Sequence, residues 1–155
     1  MGNRFTPKTE GLLIASGWFP GRKVEWQAKA EMRLPTVSIF AAANAILEEF
    51  AGLEIAGTSQ LCFVARYGQP IEDDLAKIHS ITGLTMYPVG DTNDGGDTQV
   101  LVDTNGRIYW LFESIEFIGD NIDMALEFLI SRPPWSPLPP APLDMPVAEW
   151  KIRNG

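Results

Sequence analysis

The segment QVLVDTNGRIYWLF, residues 99–112, constrains the fold more strongly than the rest of the sequence. Two β-prone runs flank its central Asn-Gly pair. This pair tolerates the positive φ angles of a type I′ turn, so the segment predicts a β-hairpin with a two-residue loop. In that register Val102 faces Tyr109 and Val100 faces Leu111. Both faces of the hairpin are largely apolar, which predicts a sheet that is covered on its two sides.

Apolar residues at helical spacing predict helices that flank this sheet. The first is expected from Pro7 to Ser16, with Thr6 as its N-cap and Gly17 in the left-handed position after its end. Further helices are expected over SIFAAANAILEEFAG with Gly52 as its stop, from Pro70 to Gly83, and from Asn121 to Ile130, the last with Asp120 and Asp123 in capping positions.

Short β-prone runs bounded by turn residues predict additional strands. LEIAG and QLCFVA are separated by a turn sequence, and TMYPVG leads into the loop that precedes the hairpin. This succession of helices and strands predicts an α+β fold. Its sheet is expected to be mainly antiparallel or mixed, to contain the Asn-Gly hairpin, and to be flanked by several helices.

The composition changes at Arg132, where the chain becomes rich in proline. We therefore predict one α+β domain over residues 1–131 and a Pro-rich C-terminal arm over residues 132–155. The segment RPPWSPLPPAPLDMP favours extended or polyproline backbone, and the arm is expected to pack onto its own domain. The alternative is a peptide offered to a partner, because residues 134–137 fit a loose PxxP pattern.

The formal net charge is −8, from 20 acidic and 12 basic residues. Such acidity disfavours nucleic acid as a partner, because phosphate backbones require clustered Lys and Arg. It favours a partner with a basic surface, although solubility alone would also explain the charge. The lone cysteine, Cys62, and the lack of an export signal or a membrane-length apolar run predict a cytoplasmic protein with no membrane partner.

Residues suited to catalysis or to metal binding are sparse. His79, the sole histidine, lies beside the apolar face of a helix, and Cys62 lies in an apolar strand without a basic neighbour. The loop of residues 91–97 offers oxygen ligands for calcium but fails the EF-hand spacing. We therefore predict a protein that is not an enzyme, with no catalytic residue, no cofactor and no metal. An enzyme or small-ligand binder would need a concave pocket with converging polar groups.

Five segments, taken in order, resemble one protein family. They are GWFPGRKVE, FAAANAILEEFAGLEI, GLTMYPVGD, VLVDTNGRIYWL and IGDNIDMALEFLI, and they span about residues 12–130. This arrangement resembles the third subgroup of the SUKH superfamily, the SUKH-3 type. The chain departs from the family pattern at Ala51, where glycine is usual, and at Asp91, where glutamate is typical. The residues that match the pattern are Trp18, Pro20, Gly21, Arg22, Glu49, Phe50, Gly52, Tyr87, Pro88, Gly90, Asp103, Gly106, Arg107 and Tyr109.

The resemblance implies a bacterial immunity protein that binds and neutralises a cognate polymorphic toxin, such as a nuclease or a deaminase. Neutralisation would occlude the toxin surface and would need no chemistry. The alternative is a general protein–protein interaction or regulatory module without a toxin partner. Contact with a basic toxin surface is expected in the least patterned polar regions, at two acidic sets formed by Glu72, Asp73 and Asp74 and by Asp91, Asp94 and Asp97.

The motif GWFPGR places two aromatic rings directly after the first helix. Apolar residues that follow a helix C-cap commonly fold back onto its last turn. We therefore expect Trp18 and Phe19 to anchor the first helix to the sheet, where either ring could cover Leu13, and Arg22 to be available to a carboxylate. Direct contact between these rings and a partner is the alternative.

Overall fold

The computed structural model describes residues 4–26, 38–63, 70–92, 98–112, 114–140, 142, 144–145 and 149–151. Within these residues the chain forms an α+β single-domain fold with one seven-stranded sheet and four α-helices, which confirms the predicted fold class. The helices are α1 (Pro7–Ser16), α2 (Ala41–Phe50), α3 (Pro70–Thr82) and α4 (Ile122–Leu126), the last continued by a π-helical segment (Glu127–Ser131). The strands are β1 (Glu54–Ala56), β2 (Gln60–Cys62), β3 (Met86–Thr92), β4 (Thr98–Asp103), β5 (Ile108–Leu111), β6 (Ser114–Gly119) and β7 (Glu149–Lys151).

The sheet is an antiparallel meander in which each strand pairs with its neighbours in sequence, in the order β1 to β7. Leu61 of β2 pairs with Thr92 of β3, and Thr92 also pairs with Thr98 of β4. The turn that joins β1 to β2 therefore lies at the same end of the sheet as the end of β3 and the start of β4. This shared end matters for the surface described below.

Both faces of the central strands are buried, as the sequence predicts. Val100, Leu101 and Val102 are consecutive and have no exposed surface. Because successive side chains of a strand point to opposite faces, the sheet is covered on both sides here. Helix α2 contacts β3 and β4, α3 contacts β3, and α4 contacts β6. None of the described helices combines the length and apolarity that spanning a bilayer requires.

The β4–β5 hairpin is present, but its predicted register is wrong by one residue. Leu101 pairs with Tyr109, and Val102 pairs with Ile108. Cross-strand partners share a face of the sheet. Tyr109 therefore lies on the face of Leu101, and not on that of Val102.

The shift in register follows from the loop, which has three residues where two were predicted. The N–H of Gly106 donates to the carbonyl of Asp103 at 3.0 Å, and the N–H of Asp103 donates to the carbonyl of Arg107 at 3.0 Å. Gly106 has a φ of 87°, whereas Asn105 does not take a positive φ. The loop therefore matches a tight turn followed by a left-handed glycine, the usual three-residue connection.

Helix α1 has the predicted bounds and caps. The hydroxyl of Thr6 accepts a hydrogen bond from the N–H of Thr9, and Pro7 fills the first helical position. Gly17 has a φ of 110°, and its N–H donates to the carbonyl of Ile14 at 3.0 Å. These contacts span three or four residues, so the local sequence is sufficient to specify them.

The two aromatic rings after α1 have different environments. Trp18 is buried, and its backbone N–H donates to the carbonyl of Leu13. Its ring packs edge-on against that of Phe5, with the ring centroids 5.7 Å apart. Phe19 is 55% exposed, so the expectation that it anchors the helix is wrong. Phe19 is the first residue of a tight turn closed by the N–H of Arg22, and this turn carries the ring to the surface.

The last helix starts one residue later than predicted, and its cap is Asn121. The side-chain oxygen of Asn121 accepts from the N–H of Met124 at 2.9 Å, whereas Asp120 is exposed in the preceding bend. A Cβ on Gly119 would lie 2.8 Å from the backbone nitrogen of Ala125. Because the end of β6 lies this close to the helix backbone, the chain turns at Asp120, and Asn121 takes the N-cap position of α4.

Strands β6 and β7 were not predicted. β7 has only three residues, whereas the alternation of polar and apolar residues over residues 114–117 of β6 was a usable strand signal. Ile115 pairs with Trp150, which places β7 on the outer edge of β6. Asp144, which lies in the Pro-rich region before β7, forms an ion pair with Arg107 at 2.8 Å. The division into a domain and an arm at residue 132 stays a prediction.

Candidate partner-binding surface

The residues that match the family pattern occur in clusters, the first around the carboxylate of Glu49. The indole N–H of Trp18 donates to Oε2 of Glu49 at 2.9 Å. Arg4 donates to both oxygens of the same carboxylate, at 2.6 and 3.0 Å, and its Nε donates to Asp123 at 2.8 Å. The hydrogen bond that Arg4 donates to Asp123, together with the contact to Glu49, raises the pKa of Arg4 above its ordinary value. This cluster ties the start and the end of α1 to α2 and α4.

Arg22 was expected to be available to a carboxylate, but among the described residues its hydrogen bonds go to backbone carbonyls at the end of α2. Its guanidinium donates to the carbonyls of Glu49 and Ala51 at 2.5 and 2.8 Å. These carbonyls have no partner within the helix, and a cation is favoured at this end of the helix dipole. Burial lowers the pKa of Arg22, against the attraction of Glu49. Gly52 follows with a φ of 90°, a conformation that lets the chain turn beneath this guanidinium.

The Pro20-Gly21 pair directs Arg22 towards that position. The N–H of Arg22 donates to the carbonyl of Phe19 at 3.1 Å, and Gly21 has a φ of 84°. Proline at the second position of a turn and a positive φ at the third are the signature of a type II turn, for which glycine is preferred. The PGR motif is thus a turn that delivers a capping arginine.

The second cluster surrounds the buried carboxylate of Asp103, which has no exposed surface. One oxygen accepts from the N–H groups of Asn105 and Arg107 at 2.8 and 3.1 Å, and the other accepts from the hydroxyl of Tyr109 at 2.7 Å. Burial, reinforced by the bond to Asp103, raises the pKa of Tyr109 above its ordinary value. Asp103 thus fixes both the hairpin loop and the ring below it.

A third group supports the centre of the sheet. The ring of Tyr87 is buried between Trp26 and Phe40, with centroid distances of 6.5 and 6.4 Å. The register shifts between Pro88 and Gly90, which marks a bulge in β3. A Cβ on Gly90 would lie 2.5 Å from the carbonyl oxygen of Cys62, so this position requires glycine. These contacts support a structural role for the residues of the family pattern.

An open groove of about 360 Å³ lies beside the Glu49 cluster. Its charged side chains are engaged with one another or with backbone: Arg4 with Glu49, Arg22 with two carbonyls, and Lys23 with Glu48 at 3.8 Å. A small charged substrate would have to break these pairs, so the geometry is poorly suited to binding one. The lining residues are Arg4, Gly21, Arg22, Lys23, Ala45, Glu48 and Glu49.

The predicted acidic sets lie on separate elements. In the first turn of α3, Asp73 is exposed, whereas Asp74 is only 8% exposed and therefore offers little surface to a partner. Asp91 is half-buried in β3, where it pairs with Cys62 and Gln99. The side chain of Glu72 and the whole of Asp94 and Asp97 lie outside the described residues.

The described part of the chain contains no group of three His, Cys, Asp or Glu residues arranged to hold a metal ion. His79 is exposed on α3, and its Nδ1 lies 3.4 Å from the hydroxyl of Thr85. Cys62 is half-buried at the end of β2, and its sulfur lies 3.9 Å from a carboxylate oxygen of Glu54.

Sequence reasoning missed several residues that organise this surface. Arg4 contacts Glu49 and Asp123, which lie 45 and 119 residues away. Glu127 accepts hydrogen bonds from the N–H of Thr6 and the hydroxyl of Thr9, which joins the π-helical segment to α1. No local pattern marks such distant pairs. The exposure of Trp135 was not predicted either, although the proline before it is a usable turn signal.

Comparison with known protein families gives one match. A family model described as SUKH-3 immunity protein matches residues 5–132, which is 128 of the 155 residues. The matched region contains the clusters described above except Arg4, which lies one residue before it, and ends where the Pro-rich segment starts. No curated protein and no solved structure matches the chain.

Proposed function

Because the chain belongs to the SUKH-3 immunity protein family, we propose that it binds one cognate bacterial toxin and neutralises it by covering its surface. The single observation that carries this proposal is the family match, which extends over most of the folded domain. The protein performs no chemistry on the toxin. Its specificity lies in the shape and charge of the surface that meets the toxin.

The family-pattern residues maintain the fold, which supports the proposal that other, exposed residues determine specificity. Glu49, Asp103 and Tyr109 are engaged in internal contacts that hold the helices and the hairpin together. The exposed side chains outside these clusters are then free to differ between family members without loss of the fold. A protein that must match one particular toxin requires this kind of variable surface on a fixed scaffold.

The charge of the chain indicates the partner's chemistry. A net charge of −8 attracts a basic toxin surface, such as one that otherwise holds nucleic acid. We propose that the acidic sets on α3 and around the β3–β4 connection contact that surface. Since Asp74 is nearly buried, the described contribution of the first set comes from Asp73, which is exposed.

A growth-rescue experiment tests the proposed function. The polypeptide encoded immediately upstream of this chain is expressed in a host that lacks both genes, with and without this protein. We expect the neighbour to arrest growth and this chain to restore it. A harmless neighbour, or one that kills in the presence of this chain, would refute the immunity role and favour a general interaction module.

The acidic surface is tested separately, by calorimetry of the purified pair at several salt concentrations. A variant with Glu72, Asp73, Asp94 and Asp97 changed to amides is expected to bind at least about tenfold more weakly at low salt, with a flatter salt dependence. The matched control removes the same number of charges elsewhere, at Glu10, Glu25, Glu54 and Asp120. Equal losses in both variants would show that net charge matters and that the proposed location is wrong.

A further inference from the structure

The Pro-rich segment begins with a tight turn that presents a tryptophan. The N–H and the hydroxyl of Ser136 both donate to the carbonyl of Pro133, at 3.3 and 2.7 Å. Pro134 occupies the second position of this turn, and Trp135 occupies the third with a φ of 68°. These are the features of a type II turn, in which the third residue is normally glycine or asparagine.

The chain contains a second turn of this kind that obeys the rule. In the turn from Phe19 to Arg22, the third position is Gly21, with a φ of 84°. Trp135 is the one described residue other than glycine that has a positive φ. Because an L-residue with a Cβ is disfavoured there, local stability would select glycine at position 135.

The exposure of a tryptophan ring at position 135 does not favour solubility either. Trp135 is 99% exposed, against 55% for Phe19. A tryptophan ring that is fully in water gives up the free energy its burial would supply. A position that violates both the conformational rule and the burial rule is expected at a functional site.

The base of this turn is fixed to the domain. Arg132 donates to the carbonyls of Phe128 and Leu129 at 2.9 and 3.0 Å, and its guanidinium lies 4.6 Å from the ring centroid of Phe128. The carbonyl of Arg132 accepts from the hydroxyl of Thr58 at 2.5 Å. Trp135 is therefore held on a short, proline-stiffened projection whose free rotation is already restricted.

Thr58 also locates the projection. It lies in the β1–β2 turn, at the end of the sheet where β3 finishes and β4 starts. Trp135 follows Arg132 by three residues, so its Cα lies within roughly 11 Å of that of Arg132. The ring thus lies close to the end of the sheet where β3 carries Asp91, the described member of the second acidic set.

We propose that Trp135 is the apolar anchor of the toxin interface, inserted into an apolar pocket that basic side chains surround on the toxin. The proposal rests on the proposed function, since it names the contact by which the same partner is held. Tryptophan is enriched among the residues that dominate binding energy, particularly when the ring is presented rigidly and is buried on association. The net charge of −8 complements the basic surroundings of such a pocket.

The test compares two variants with the wild-type chain, using the polypeptide encoded immediately upstream as the probe. Trp135→Gly removes the ring and supplies the residue that the turn conformation prefers. We expect its melting temperature to equal or exceed that of the wild type, and its affinity for the probe to fall at least tenfold. Phe19→Ala, which removes an exposed ring from the other turn, is the matched control and should change the affinity less than threefold.

The outcomes separate the anchor from the function. Wild-type protein that fails to bind or neutralise the probe overturns the proposed function and the anchor with it. Wild-type binding with undiminished binding by Trp135→Gly overturns the anchor alone. A large fall in the melting temperature of Trp135→Gly would show that the ring is structural, which also overturns the proposal.

Discussion

Removal of the Tyr109 hydroxyl is the sharpest test of the Asp103 cluster. The hydroxyl donates to the carboxylate of Asp103 at 2.7 Å, and neither residue has exposed surface. A hydrogen bond to a charged group contributes about 1.5–3 kcal/mol, and its loss leaves a buried acceptor without that donor. We therefore expect Tyr109→Phe to lower the free energy of unfolding by about 2–3 kcal/mol, measured by urea denaturation at pH 7. For a chain of this length that corresponds to a fall of about 4–12 °C in melting temperature.

The pH dependence of the stability difference between Tyr109→Phe and the wild type is a second, independent test of the same contact. Burial and the bond to Asp103 raise the pKa of Tyr109, so the native state keeps its proton where the unfolded chain, with a tyrosine pKa of about 10, loses it. The native state then binds one more proton, and wild-type stability falls by about 1.4 kcal/mol per pH unit above pH 10. Below pH 10 this contribution is fully present. Tyr109→Phe lacks it, so the gap between the two proteins should narrow by about 1.4 kcal/mol from pH 8 to pH 11.

A double-mutant cycle with Asp103→Asn isolates the contact from the general effect of each substitution. We expect a coupling of at least about 1 kcal/mol, because the hydroxyl and the carboxylate are in direct contact. A loss below about 0.5 kcal/mol in Tyr109→Phe, or a stability gap that stays constant up to pH 11, would refute the assignment of this bond.

Three further stability predictions use the same unfolding measurement. Gly90→Ala should lower the free energy of unfolding by at least about 3 kcal/mol or abolish folding. The added Cβ would lie 2.5 Å from the carbonyl oxygen of Cys62, so strand pairing would have to shift. A tolerated substitution would contradict this close approach. Gly11→Ala is the matched control on α1, where nothing lies within 4 Å, and it should stabilise the protein by about 0.5–1 kcal/mol. Trp18→Phe keeps an aromatic ring and removes the N–H that donates to Glu49 at 2.9 Å, so we expect a loss of about 1–3 kcal/mol, and an unchanged midpoint would show that Arg4 alone satisfies that carboxylate.

The elements predicted well from sequence are those whose determinants are neighbours along the chain. Thr6, Pro7 and Gly17 define α1 through contacts within one helical turn, and the structure has the predicted bounds. The family motifs could also be recognised from the sequence, because each is a short continuous segment with its own turn residues. The α+β class followed from the same local patterns, because helix and strand periodicities differ.

The errors arose where two local solutions were nearly equal. Asn105-Gly106 suits a two-residue hairpin, but the Asp103 carboxylate accepts from one N–H group within a three-residue loop and from one directly after it, and the register shifts by one. Asp120 and Asn121 are both competent caps, and the close contact between β6 and α4 decides between them. In the first case the hydrogen bonds of one side chain select the result, and in the second a close backbone contact does.

The sequence by itself determined the helices, most strands, the sites of the turns and the acidic character of the surface. Tertiary structure decided which ring after α1 is buried, which strand closes the sheet, and how Arg4, Glu127 and Trp135 are placed. The physical reason is the range of the interactions. Caps and turns are fixed by groups a few residues apart, whereas burial, ion pairs across 119 residues and the exposure of Trp135 depend on which surfaces meet once the chain is compact.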